Sequence, residues 1–260
     1  MGMINIFSAQ FHVLLGEVEK NFSKVEKLLE NFEVSEGIVL LPEMWTSGFD
    51  YRHLEDIASK TPLILERIKE IAARKNLIIA GSMPEKDKGH FYNTSFLIGE
   101  KGNIIGKYRK IHLFSPMRED KYFSKGKKVE VFNTSFGKVA LVLCFDLRFP
   151  ELIRTLALKG AQILLVSAQW PLIRVEHWRT LLRARAIENQ FYVTGAAASG
   201  KTGKFVFCGN SMIIAPNGEI LANADLDEVV ITSSIDLKEI KKIRKEMPCF
   251  QARAPKLYRV

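Results

Sequence analysis

Two periodicities alternate along the chain. Continuous apolar, β-branched runs at Ile4 to Phe11, Gly37 to Leu41, Leu77 to Ala80, Lys138 to Leu143 and Ile163 to Ser167 predict strands, most of them buried on both faces. Between them, apolar residues return every three or four positions. Phe22, Val25, Leu28, Leu29 and Phe32 do so, as do Ile64, Ile68 and Ile71 within Pro62 to Arg74. That spacing predicts amphipathic helices, with two more at Pro150 to Lys159 and Val175 to Gln190. Gly81 is expected to stop the third strand. Hairpins are predicted around Gly99 to Gly102, joining Tyr92–Ile98 to Ile104–Lys110, and around Phe136-Gly137, joining Val129–Phe132 to Lys138–Leu143. Beyond Gln190 the chain is strand-rich: Phe191–Gly195, Phe207–Ile214, Glu219–Asn223 and Val229–Ile235, then a last helix capped by Asp236. Residues 111–128 show no periodicity, and so long a loop is expected to be functional. The whole reads as α/β with mixed sheets, without repeat or linker.

Composition narrows this picture. With 260 residues and 47% hydrophobic content, one domain over 1–260 is expected. The formal charge is +9, but acids are interspersed throughout, so a solvated basic surface is expected and not a nucleic-acid partner. Cys144, Cys208 and Cys249 are far apart and odd in number, which argues for a reducing, cytoplasmic compartment. No signal peptide or bilayer-length apolar run is evident, so no membrane partner is expected. Asn93-Thr94-Ser95 matches a glycosylation sequon, which carries no meaning without secretion.

Candidate chemistry sits at strand ends. Val139 to Leu143 leads into Cys144, and the chain then turns polar at Asp146 and Arg148 before Pro150, a residue suited to a helix start. A thiol at such an elbow can be sheltered on one side and accessible on the other. A lone strand cysteine is nevertheless a structural hydrophobe by default, and a thiol also needs a base. Glu43 emerges directly after Leu40-Leu41-Pro42, and Lys110 closes the strand from Ile104. A carboxylate between apolar walls can act as a base, and a fixed ammonium can stabilise an oxyanion. Taken alone, each is an ordinary solvated group by default.

Leu41-Pro42-Glu43-Met44-Trp45, Tyr108-Arg109-Lys110-Ile111-His112 and Cys144-Phe145-Asp146-Leu147-Arg148-Phe149-Pro150-Glu151 resemble, in order, the three signature segments of the nitrilase superfamily of carbon–nitrogen hydrolases. Arg185 to Gln190 is similar to a fourth segment, and the resemblance runs from Ile4 to about Phe250. Phe145, where Tyr is common, is a mild departure. The resemblance implies an αββα sandwich of two mixed sheets flanked by helices, paired into a homodimer. It implies Cys144 as nucleophile, Glu43 as general base, Lys110 as stabiliser of the tetrahedral intermediate and the Phe145 N–H as second oxyanion donor. Glu119 is the best match to a second family glutamate that positions the lysine. The expected reaction takes a small carboxamide and water to acid and ammonia through a Cys thioester, with no metal or organic cofactor.

Glu43 to Phe49 together with Ser167 to Pro171 look most similar to the ω-amidase branch, which acts on 2-oxoglutaramate and related monoamides. Such substrates end in a carboxylate, so a cation should line the pocket. Arg148 is the first candidate, with Arg118 and Arg174 behind it, though Arg148 could equally clamp the elbow. Phe114 and Trp170 are candidate walls, and His112 and His177 candidate braces. Nitrilase and N-carbamoyl amidohydrolase activities share the same three central residues. Gly195 to Thr202 also fits a phosphate-loop pattern, but a strand is predicted after it where a helix is required. A noncatalytic binding role is disfavoured by the intact Glu43, Lys110 and Cys144. A serine hydrolase is excluded by the lack of Gly-x-Ser-x-Gly, and a zinc site by histidine spacing.

Overall fold

A strand that is apolar on both faces needs cover on both. The structure, a computed structural model that describes residues 2–31 and 36–258, supplies this cover with four layers. In chain order the first half comprises β1 (Ile4–Gln10), α1 (Val18–Glu30), β2 (Gly37–Leu40), α2 (Leu54–Lys75), β3 (Leu77–Asp87), β4 (His90–Ile98) and β5 (Ile104–Arg109). The middle comprises α3 (Glu119–Tyr122), β6 (Phe132–Thr134), β7 (Gly137–Leu143), α4 (Pro150–Leu158), β8 (Ile163–Ala168), α5 (Val175–Asn189) and β9 (Tyr192–Ala197). The end comprises β10 (Lys201–Thr202), β11 (Phe205–Val206), β12 (Met212–Ile214), β13 (Ile220–Asn223), β14 (Val229–Ile235), α6 (Lys238–Glu246) and α7 (Pro255–Tyr258).

Two six-stranded sheets run in the orders β14-β1-β2-β3-β4-β5 and β13-β12-β9-β8-β7-β6. Each has a parallel centre, β1-β2-β3 and β7-β8-β9, with antiparallel flanks. Side chains alternate along each strand, so every central strand feeds two cores. Ile4, Ile6, Ile38 and Ile78 of one sheet pack on Val139, Leu141, Ile163 and Leu165 of the other. Phe7, Ala9, Val39 and Ile79 turn outward onto Phe22 and Val25 of α1 and Ile64 and Ile68 of α2. On the far side, Ala140, Val142, Leu164 and Val166 meet Ile153 of α4 and Trp178 and Leu182 of α5. This is the expected αββα sandwich. Each fully buried aliphatic side chain contributes roughly 1.5–3 kcal/mol to holding it.

Several expectations need correction. Gly81 does not end β3, which runs on to Asp87. A Cβ at Gly81 would lie 2.8 Å from Leu41 Cβ and 2.9 Å from Trp45 Cδ1, so the glycine admits the segment carrying Glu43. The second helix begins at Leu54 and takes Pro62 inside it. The 207–214 run is interrupted where Gly209 and Asn210 adopt positive φ, leaving only β12 as a strand. Val129 to Val131 lie outside β6, and α7 follows the helix expected to be last. The 111–128 loop holds a short turn and α3. Phe32 lies outside the described residues. Gly195 to Thr202 opens onto the β10–β11 hairpin and not a helix, which removes the phosphate-loop reading.

Candidate active site

Four carboxyl strand ends converge between the two sheets. Glu43 follows β2, Lys110 follows β5, Cys144 follows β7 and Gln169 follows β8. The Ser167 hydroxyl donates to the Leu41 carbonyl at 2.7 Å, fastening the ends of the two sheets together.

Cys144 begins a short 3₁₀ turn, Cys144–Arg148, with φ at +44°. For a residue with a Cβ that conformation costs about 1–3 kcal/mol and persists only when neighbours impose it. Asp146, fully buried, is the clamp. Its Oδ2 accepts from Leu143 N at 3.1 Å and from the Tyr108 hydroxyl at 2.8 Å. Its Oδ1 accepts from His112 N at 3.0 Å and lies 2.8 Å from His112 Nδ1. Tyr108 and His112 flank Lys110, so Asp146 locks the elbow to the lysine segment. The His112 ring also stacks on Phe149, with centroids 3.5 Å apart. Phe145 is the second residue of the turn, among the positions whose N–H a short helix leaves unpaired.

Around the thiol lies a charge cluster with almost no solvent contact. Lys110 Nζ donates to Glu43 Oε1 at 2.8 Å and to Glu119 at 2.9 and 2.7 Å; all three side chains are 1% exposed. Burial alone would push the ammonium down, but Glu119 and Glu43 outweigh it and hold Lys110 well above its ordinary pKa. Burial raises Glu119, and the Glu43 charge adds to this against the opposing pull of Lys110. Burial likewise pushes the Cys144 thiol well up, reinforced by the Glu43 charge. The sulfur therefore rests as a thiol beside a carboxylate able to take its proton.

Gln169 and Asn93 complete the cluster. Gln169 N donates to Glu43 Oε2 at 3.0 Å, its Nε2 to the Glu43 carbonyl at 2.9 Å, and its carbonyl faces Cys144 Sγ at 3.9 Å. Asn93 Nδ2 spans both acids, 2.8 Å from Glu43 Oε1 and 3.3 Å from Glu119 Oε1. The sequence reading passed over both. No local signal marks Asn93, which stands in β4 at the start of the polar run Asn93-Thr94-Ser95.

The cluster opens on a narrow cavity lined also by Phe49, Phe114, Phe145, Arg148, Trp170 and Arg174. Arg118 lines the neighbouring cavity instead. Arg148 lies 4.7 Å from the Trp170 ring and donates to His177 Nδ1 at 3.2 Å. Burial lowers its pKa, and the nearby Arg174 charge adds to that against Cys144. Among the described residues no carboxylate pairs with Arg148 or Arg174, so their charge is left to the cavity. No group of three or more His, Cys, Asp and Glu among the described residues is placed to hold a metal ion.

A thiol, a base, an ammonium and free amide donors around one cavity suit acyl transfer from an amide. The family model for carbon–nitrogen hydrolases matches residues 8–245. The chain belongs to the carbon–nitrogen hydrolase family. It is 36% identical over 251 residues to the 2-oxoglutaramate amidase of Bacillus subtilis, covering 96% of this chain and 97% of that protein. It is 36% identical over 234 residues to the human omega-amidase NIT2, covering 86% and 85%. Among solved structures, a carbon–nitrogen hydrolase from Helicobacter pylori superposes with a TM-score of 0.92 at 26% identity, covering 99% of this chain and 98% of that one. This carbon–nitrogen hydrolase is thus an amidase-type enzyme by family, with the sandwich expected of it.

Proposed function

We propose that this enzyme hydrolyses small carboxamides carrying a remote carboxylate, ω-amides of dicarboxylates such as 2-oxoglutaramate, to the acid and ammonia. The observation that carries the reading is one pocket lined both by the buried Glu43–Lys110–Glu119–Cys144 cluster and by two acid-free guanidiniums, Arg148 and Arg174. The names of the B. subtilis and human relatives support the same substrate class.

Glu43 takes the thiol proton as Cys144 Sγ attacks the amide carbon. Protonation of Glu43 removes one negative partner from Lys110 as the oxyanion forms, so the ammonium turns toward the new charge. The Phe145 N–H is the second oxyanion donor. Glu43 returns the proton to the leaving nitrogen and ammonia departs. Water, deprotonated by the same carboxylate, then hydrolyses the thioester. Glu119 positions Lys110 throughout, Phe114 and Trp170 wall the pocket, and Arg148 binds the substrate carboxylate. No step calls on a metal or organic cofactor. The chain acts as one domain and pairs as a homodimer in the reducing cytoplasm, a setting that the free cysteines support.

Ammonia release from 2-oxoglutaramate, succinamate, uncharged aliphatic amides, nitriles and carbamoyl amino acids tests the reading. The ω-amides should lead, and Arg148→Gln should raise their KM about tenfold or more while sparing uncharged amides. Preference for nitriles or carbamoyl compounds would displace the substrate assignment. Cys144→Ala should lower turnover by roughly 10⁴- to 10⁶-fold with the fold retained.

A further inference from the structure

Two acids share Lys110, and each stands next to a residue in left-handed backbone. Met44 follows Glu43 with φ at +49°, and Arg118 precedes Glu119 with φ at +63°. Neither is glycine, so each conformation persists only where neighbours impose it. At Met44 the N–H donates to the Ser82 hydroxyl at 2.7 Å. At Arg118 the restraint falls on the peptide group that joins Met117 to Arg118. The N–H of that group donates to the Ser115 carbonyl at 2.8 Å, and its carbonyl accepts from the Tyr51 hydroxyl at 2.7 Å. A peptide plane pinned at both ends cannot rotate, which fixes the direction in which the chain enters Glu119.

Tyr51 is itself held in place. Its ring stacks on Tyr122 of α3, with centroids 4.2 Å apart and planes within 4°, and lies 6.0 Å from Phe49 and 6.1 Å from Phe123. These rings gather around the buried Met44, Leu54 and Phe123 in a small apolar cluster beside the three larger cores. The cluster joins the loop that follows Glu43 to the loop that carries Glu119. Burial pushes the Tyr51 hydroxyl well up, with the Glu119 charge adding to this against Lys110, so the group stays a donor. Beyond the latch, Glu119 Oε2 accepts from Phe114 N at 2.6 Å and from Lys110 Nζ at 2.7 Å. A line of contacts thus runs from a half-buried hydroxyl, outside the lining of the catalytic cavity, to the ammonium beside the thiol.

We infer that Tyr51 is a positioning residue, whose hydroxyl acts through the Met117 carbonyl to fix the Glu119 carboxylate and, through it, the Lys110 ammonium. This rests on the reading above in which Glu119 positions Lys110, and extends that line by one residue. The hydroxyl takes no part in proton transfer and touches neither sulfur nor substrate. Its contribution is to hold a carbonyl that the short Ser115–Met117 turn leaves without a backbone partner.

Steady-state kinetics on the panel compound that wild type turns over fastest tests this, independently of which compound that is. Tyr51→Phe keeps the ring and its stack and removes only the donor. Its kcat should fall about tenfold, the scale of one lost hydrogen bond, with KM within about twofold. Glu119→Gln should lower kcat by about 10²-fold, the scale of a misplaced catalytic group. Adding Tyr51→Phe to Glu119→Gln should cost nothing further, because both act along one line. Tyr122→Phe, which retains the stack, should stay within about twofold of wild type in kcat. Tyr51→Phe with wild-type kcat, or with only KM changed, overturns the inference and leaves Glu119 in its role. Losses that multiply in the double variant, or an equal loss in Tyr122→Phe, also overturn it, since the hydroxyl would then act elsewhere than through Glu119. Wild-type turnover in Glu119→Gln ends the positioning role of Glu119 and the inference together.

Discussion

Arg109 and Lys110 are neighbours in sequence, point to opposite sides of the chain and each gather two carboxylates. Arg109 binds Glu85 at 2.8 and 2.9 Å and Asp87 at 2.7 Å, with Lys107 adding to Glu85. Lys110 binds Glu43 and Glu119. The composition of the two clusters is similar and the outcome opposite. Burial would raise Glu85, but hydrogen bonds from Arg109, Lys107 and Thr94 outweigh it and draw the acid down to about 2. Glu119, fully enclosed and sharing its one ammonium with a second acid, is raised. Pairing alone therefore does not decide whether a carboxylate is stabilised. The number of cations per acid and the water left around them decide it. The outer cluster steadies the β3–β4–β5 edge, whereas the inner one is costly to bury and is suited to moving protons.

The strongest test of that contrast is Lys110→Met against Arg109→Met. Removing Lys110 strips from two buried acids the one cation that pairs with them among the described residues, and takes away the proposed oxyanion partner. Turnover should fall by at least about 10²–10³-fold. Stability should fall too, by an amount on the order of 3–5 kcal/mol, since an unpaired buried charge remains. Arg109→Met should keep kcat within a few-fold. Steady-state kinetics and thermal melts on both variants check this, and equal loss of activity in the two would erase the distinction.

The sequence reveals the two clusters unequally. Lys110, Glu43 and Cys144 stood out as candidates because each lies at the end of a predicted strand, and strand ends in an α/β fold converge, but their roles came only with the resemblance to the nitrilase superfamily. Glu119 was legible only by resemblance, since its loop has no periodicity to place it. Asn93 and Gln169 were not legible as site residues. Asn93 sits in the interior of β4, where its contact with Glu43 is created by sheet order, β2-β3-β4-β5, and by no local pattern. Gly81 misled for a related reason. Its missing side chain serves Leu41 and Trp45 from a distant segment, while locally it reads as a strand breaker. The reach of β3 to Asp87, which carries the outer cluster, was lost with it.

Asn93 gives a subtler test of the inner cluster. Its amide is a neutral donor shared by two acids, so Asn93→Ala leaves them with Lys110 and their own backbone donors. Turnover should drop by up to about 10²-fold, the scale of a slightly misplaced catalytic group. The acid limb of the pH–rate profile should also move to higher pH, because the charged acids lose a donor. A variant that is merely loosened would lose activity with the limb in place.

The smallest effect belongs to the outer cluster and concerns stability, not rate. The Glu85 carboxyl is held at about 2 in the fold against an ordinary 4.5. Its ionised form thus contributes stability that is fully present above the ordinary value and fades as pH falls toward the folded one. Glu85→Gln should lower unfolding free energy by about 1.5–3 kcal/mol at neutral pH, the worth of hydrogen bonds to a charged group. The gap between the two proteins should close as the solution is acidified from about 4.5 to about 2, where wild type has lost the same contribution. Denaturant unfolding across that range measures the gap, and kcat at neutral pH should be unchanged. A gap that persists undiminished at the acid end would show that Glu85 acts through packing, and would remove the electrostatic basis for setting the two clusters apart.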